Sequence, residues 1–359
     1  MSRLTCSSRL NRLNTSSDTS GIMRQRAKGK GQRTDYRSGR SFAGVSNSPS
    51  PEKGIALIMV LWVLVLLSII SLNYFSSNRW NSASTRNLKE ETVAYYMAMS
   101  AYQEAVHYIL SDKDPSVDFI DNDGNYWTDT EAVPVTGKRE TEDGEIEIRI
   151  TDENAKVNIN YADEFRLRKL FRFAGISEES VTEIIDSMLD WKDADTEHHL
   201  SGAEDEYYEG LAEPYKAKNM LFDVPEELTL VKGMKAEYFD EGRENSLLHL
   251  ITTFGGNTMN INTVSKEVMQ MLEFDETEIE AIMKQRNKES GGFRFIPQQF
   301  SAKGLNVIAS QNVRVEVLAK PKNSKLASRI VAVLNRKPDA TGYKIHTVYW
   351  REHAENIRG

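Results

Sequence analysis

The chain has 359 residues, 40% of them hydrophobic, and a formal net charge of -8 at neutral pH, enough apolar mass for the core of one large or two ordinary domains. Charge is uneven: residues 1–53 hold eleven Lys/Arg against three Asp/Glu, and the acidic excess lies downstream, which argues against nucleic-acid binding by the folded part. The single cysteine, Cys6, sits in the basic region, so the remainder has neither an internal disulfide nor a thiolate metal site.

Residues 1–50 are rich in Ser, Arg and Gly and read as a disordered leader. No residue from 54 to 78 is charged, and the stretch from Ile55 to Leu72, with Met59 and Trp62 inside it, is apolar except for two serines. It is long enough to cross a bilayer as a helix. Basic residues before it and the long acidic remainder after it predict a cytoplasmic N-terminus and an exported C-terminal bulk. The run exceeds a secretory h-region, and no small-x-small cleavage site follows it.

Helical features continue over residues 81–110, with Ala83, Leu88, Val93, Tyr96, Met97, Ala101, Ala105, Val106 and Ile109 as the apolar stripe, and Pro115 marks the stop. One helix of some fifty residues is predicted, roughly 80 Å long at 1.5 Å per residue. A sheet to cover its second half is legible in Ile146, Ile148 and Ile150 alternating with charge, and in VRVEVLA (313–319), SRIVAVLNR (328–336) and KIHTVYWRE (344–352). The first strand stands far from the other three, and so long a gap predicts an inserted domain.

The insertion, residues 157–305, reads as mostly helical with an internal repeat. VNIN (157–160) recurs as MNIN (259–262), each followed by an apolar helix, an acidic turn and a second helix. These units resemble SAM-like or helix-hairpin-helix folds, but acids occupy the turns where a phosphate-binding hairpin needs free amides. Between the repeats, residues 190–209 hold eight carboxylates and one lysine. Such crowding is either solvated or neutralised by a cation, and an oxygen-only ligand set suits calcium better than zinc. His198 and His199 lack an H-E-x-x-H context, so a zinc or hydrolase reading is disfavoured, and Trp191, Tyr207, Tyr208 and Tyr215 read as local packing.

Three features together carry a family resemblance. PEKGIALIM (51–59) resembles a type IV prepilin signal, in which a prepilin peptidase cuts between Gly54 and Ile55 and leaves the apolar helix on the mature chain. Met59 would be the fifth mature residue, where most pilins carry a glutamate. The acidic stretch, with its D-x-D, GAEDEYY, PY and EELTLVKG, together with the two N-I-N elements and TTFGG (252–256), resembles the K minor pseudopilins of type II secretion systems. A leader of 54 residues is long for this signal, and Met23 is an alternative start.

The resemblance implies an α+β fold and no catalysis. It assigns residues 1–54 to a removed leader, 55–110 to the membrane-spanning and then amphipathic helix, 111–156 and 306–359 to a pseudopilin α/β domain, and 157–305 to the helical insertion. It implies calcium in the insertion, for which Asp193, Asp195, Glu204 and Asp205 are the candidate ligands, with Glu206 and Asp190 next. The implied role is a tip subunit that helps initiate the filament, anchored in the inner membrane with its bulk in the periplasm. The implied partners are the minor pseudopilins I and J with H beneath them, the prepilin peptidase, and secreted substrates. The other readings are a minor pilin-like subunit of a type IV pilus or competence filament, and a membrane-tethered hydrolase.

Overall fold

A computed structural model describes residues 52–129, 132–240, 242–243, 245–339 and 342–356. The leader through residue 51, including Met23, lies outside the described residues. Helix α1 runs from Glu52–Leu110 without a break. Up to Ile69 it forms a unit by itself, and the apolar window there has no buried side chains and a mean hydropathy of 3.0, the composition of a membrane span.

From Ile70 onward the chain forms the second unit. A small hairpin, β1 (Phe119–Ile120) and β2 (Tyr126–Trp127), precedes β3 (Gly137–Glu140) and β4 (Gly144–Asp152). Then come β5 (Val157–Asn158), α2 (Glu164–Phe173), α3 (Glu178–Lys192), α4 (Asp205–Glu209), α5 (Leu247–Leu250), β6 (Ile251–Thr252), α6 (Lys266–Met271), α7 (Glu276–Gln285) and α8 (Gln298–Ser301). Strands β7 (Asn312–Pro321), β8 (Leu326–Asp339) and β9 (Gly342–Asn356) complete an antiparallel sheet of order β3-β4-β7-β8-β9. The class is α+β.

Neighbouring strands β4 and β7 pair from Gly144↔Pro321 to Asp152↔Val313, so everything between Asp152 and Asn312 is looped out of one ladder. Ile146, Ile148 and Ile150, with Val313, Val315, Val317, Ile330 and Leu334, form one apolar face against α1. The helix side differs from the expected stripe. Ala94, Met97, Ala98, Ala101, Ala105, Tyr108 and Ile109 are buried, whereas Leu88, Val93 and Tyr96 are exposed. Branched side chains already fill the sheet face, so small residues on the helix allow close approach.

The two N-I-N segments make matching hydrogen bonds. Asn158 and Asn260 each accept the N–H two residues on, from Asn160 and Asn262. Asn160 clamps Phe222 by donating to its carbonyl at 3.0 Å and accepting its N–H at 2.9 Å; Asn262 clamps Phe293 in the same way at 2.9 and 2.7 Å. Both first helices end in the same pair of backbone bonds, Gly175 to Arg172 with Ile176 to Phe171, and Glu273 to Gln270 with Phe274 to Met269. This closure needs a left-handed residue, supplied by Gly175 (φ 76°) and, at some cost, by Glu273 (φ 63°). Between α3 and α5 the chain is less helical than expected: α4 is five residues long and the rest is turns and 3-10 segments.

Two polar clusters tie the ends of the sheet to what surrounds them. The buried Asp152 accepts from Asn260, Thr263 and Ser310. Arg336 of β8, also buried, pairs with Asp112 just after α1 and Asp118 just before β1, and its Nε donates to the Ser310 carbonyl at 2.9 Å. Burial would raise the neighbouring Glu153, but Lys156 and Arg314 beside it bring it down to about 2.

Candidate metal centre

Helix α3 starts on a Ser177 cap and buries Val181, Ile184, Ile185 and Met188 along one face. That phase also turns Asp190 and Trp191 inward at its C-terminal end. Trp191 meets Tyr208 edge-on at 5.2 Å and stacks on Phe222 at 6.4 Å, while Tyr208 stacks on Tyr215 at 5.3 Å. These aromatics pack one another and floor the acidic loop.

The loop from Asp193 to Ala203 folds back over Asp190. The Asp190 carboxylate accepts the His199 backbone N–H at 3.0 Å and contacts its Nδ1, and Asp186 accepts the Ser201 N–H at 3.0 Å. Lys232 donates to the carbonyls of Ser201 and Gly202, both at 3.2 Å. Gly202 lies so close that a Cβ there would sit 1.8 Å from an Asp190 oxygen. We therefore expect Gly202→Ala to displace the loop, lowering the melting temperature by several degrees and opening residues 193–203 to proteolysis; an unchanged melt and digestion pattern would refute the close packing.

This return loop brings Asp193, Asp195 and Glu204 together, with carboxylate oxygens within 4.8 Å of one another, and sets Asp190, Asp193 and His199 in a second group of the same span. Glu204 is 8% exposed, yet neither of its oxygens has a hydrogen-bond partner, and Asp193 Oδ1 also lacks one. Burial, then the charges of Asp190, Asp193 and Asp195, push the Glu204 carboxyl up; burial, Asp195 and Asp190 do the same to Asp193. The hydrogen bond that the His199 ring donates to the Asp190 carboxylate raises His199. Carboxylates that are desolvated, mutually repelling and short of donors suit a hard divalent cation, because oxygens at 2.3–2.6 Å from one ion lie within about 5 Å of each other.

Asp205, the fourth expected ligand, is not in either group. It pairs with Lys216 at 3.0 Å and accepts the Ala217 N–H at 3.0 Å, and that hydrogen bond from Lys216 holds its carboxyl below the usual range. Glu206 is exposed, and Asp190 sits beneath the cluster, bonded to His199. Sequence reasoning missed His199, Gly202 and Lys232 because their role is set by the loop's return over α3.

A family model, type II secretion system protein K, matches residues 149–244, which include the whole acidic loop. A type II secretion system protein K of Pseudomonas aeruginosa is 28% identical over 254 residues, covering 66% of this chain and 73% of that protein. The Aeromonas hydrophila protein of the same description is 29% identical over 210 residues, 52% of this chain and 61% of that one. A chain of the GspK-GspI-GspJ complex from the enterotoxigenic Escherichia coli type 2 secretion system superposes with a TM-score of 0.51 at 16% identity, over 75% of this chain and 99% of that one, which is a likeness of fold. The chain is thus similar to the type II secretion system protein K family in the region of its acidic loop, and to its members over about two thirds of its length.

Proposed function

We propose that this minor pseudopilin is the tip subunit of a periplasmic pseudopilus and helps initiate its assembly for protein export. The observation that carries the placement is the residues looped out between paired strands β4 and β7. A body of that size on a pilin-like sheet suits a filament end, where it need not repeat along a shaft. On this reading residues 1–54 are the leader, prepilin peptidase cuts between Gly54 and Ile55, and residues 157–305 form the inserted domain. The apolar part of α1 holds the mature chain in the inner membrane with its C-terminal bulk in the periplasm, as the basic residues before it favour.

The partners on this reading are the minor pseudopilins I and J, the proteins with which the Escherichia coli neighbour is complexed, with H beneath them and secreted substrates at the exposed end. The role is structural and non-catalytic. Asp193, Asp195 and Glu204 would hold calcium, which supplies the positive charge that the buried carboxylates lack. Asp190 holds the loop down through His199, and Lys232 holds its backbone from the other side.

Intact mass of the full chain from cells with and without prepilin peptidase tests the reading. A mature chain beginning at Ile55, formed only with the peptidase, is the expected result. An uncut chain, or one cut beyond Leu72, would leave a tethered or secreted acidic protein instead.

A further inference from the structure

We infer that an exported protein docks on the acidic return loop of the insertion, through an apolar pocket rimmed by Lys and Arg that receives Leu200. The inference rests on the proposed tip placement and names the surface and chemistry by which that tip meets its cargo.

Large apolar side chains are unevenly spread over the surface after Leu110. Among the described residues eleven are exposed there, and five of them, Leu200, Tyr207, Met220, Leu221 and Leu230, fall within residues 200–230. Apolar residues exposed singly are ordinary, whereas a concentration of them marks a contact surface. Leu200 is 98% exposed, so its own chain gives it no packing. Lys232 draws three of the five together: its Nζ lies 3.2 Å from the carbonyls of Ser201 and Gly202 and 5.2 Å from the centre of the Tyr207 ring, and Leu230 stands two residues before it. Met220 and Leu221 lead into Phe222, whose ring stacks on Trp191 beneath the loop.

The loop holds Leu200 in place from both sides. Asp190 accepts the N–H of His199 and Asp186 that of Ser201, each at 3.0 Å. An apolar side chain fixed between two such bonds loses little backbone freedom when a partner closes over it.

Charge specifies the partner. Residues 193–213 carry eight carboxylates and no Lys or Arg. A divalent cation on Asp193, Asp195 and Glu204 would offset part of this, and Lys216 pairs with Asp205 and Glu209. Glu197, Glu206 and Glu213 are exposed and make no ion pair among the described residues. The face is apolar at its centre and negative around it, which fits a pocket with a basic rim.

Position selects cargo over the filament's own subunits. Arg336 joins Asp112, just after α1, to the Ser310 carbonyl, and the Ser310 hydroxyl donates to Asp152, where the insertion leaves the sheet. The insertion thus departs at the C-terminal end of α1. On the tip reading further subunits join from the N-terminal end of that helix, and a protein awaiting export meets the insertion.

The test uses cells that export through this system, with the gene deleted and the full chain supplied in its place. A photo-crosslinking phenylalanine is set at Leu200 or Leu230, or at Val133, an exposed site before β3, as control. The expected result is a crosslink from the first two positions, and none from Val133, to a protein that reaches the medium only when the chain is supplied. Leu200→Asp, with an unchanged melt, should lower release of that protein by about tenfold, while Leu200→Met retains it. Glu197→Lys combined with Glu206→Lys is the second variant and should lower release likewise. Binding of the exported protein, purified from the medium, to the detergent-solubilised full chain in calcium should weaken as salt rises. Crosslinks from no position, crosslinks from Leu200 only to another pseudopilin, or normal release with a folded Leu200→Asp overturn the docking surface and leave the tip reading standing. Normal release from the deletion strain itself overturns the tip reading.

Discussion

If Asp193, Asp195 and Glu204 hold calcium as proposed, removal of divalent cations from the detergent-solubilised full chain is expected to lower its melting temperature by roughly 5–10 °C, and calcium to restore it. A ligand at a hundredfold its Kd contributes about 2.7 kcal/mol, and a folded body of 150–250 residues shifts by about 2–4 °C per kcal/mol. The decisive variant is Glu204→Gln, because Glu204 is buried with both oxygens unpartnered. In calcium the variant is less stable than the parent, having lost a ligand. In chelator it is the more stable of the two, since it no longer buries an uncompensated charge. pH adds a second signature. Glu204 and Asp193 are raised above the ordinary carboxylate range, so the folded apo form binds protons more tightly than the unfolded chain, and their contribution is present at low pH and lost as pH rises through the folded values. Chelated protein therefore gains stability as pH falls from 7 toward 5, while calcium-loaded protein loses it as protons compete for the ligands. Melting curves in calcium and in chelator at two pH values decide the matter; an E204Q variant less stable than the parent under every condition would show that Glu204 serves packing alone.

Features that depend on one buried face were legible in the sequence. Ile146, Ile148 and Ile150 alternate because β4 is covered on one side, and the same logic found β7, β8 and β9. Strand β3, Gly-Lys-Arg-Glu at an exposed edge, has no apolar residue to betray it. The helix stripe is legible in part: Met97, Ala101, Ala105 and Ile109 are buried as expected, whereas Leu88, Val93 and Tyr96 are exposed, because apolar character alone does not single out the small Ala94 and Ala98 that let helix and sheet close. The N-I-N repeat was visible, but its clamps were not, since Phe222 and Phe293 lie 62 and 31 residues away from the asparagines that hold them. At the acidic loop, composition picked out the right neighbourhood. It could not separate Glu204, turned into the protein without a donor, from Asp205 beside it, which Lys216 draws outward.

Arg336→Met is expected to destabilise the second unit by about 3–5 kcal/mol, the usual cost of removing one partner from a buried ionic cluster. The guanidinium reaches Asp112 Oδ2 at 2.5 Å, contacts Asp118, and lies 3.2 Å from the Tyr126 hydroxyl, which itself donates to Asp118 at 2.7 Å. One side chain of β8 thus fastens the end of α1 and the β1–β2 hairpin to the sheet. Without it two carboxylates remain where water does not reach, and Asp118 Oδ1 already has no partner. Much of that cost comes from the carboxylates left behind, so Arg336→Met combined with Asp112→Asn and Asp118→Asn should recover most of the lost stability. Denaturant unfolding of the two variants separates the possibilities. Equal loss in both would mean that the guanidinium contributes by packing and by its bonds to the Ser310 carbonyl; a small loss in the single variant would mean that the cluster is wetter than its 4% exposure at Arg336 implies.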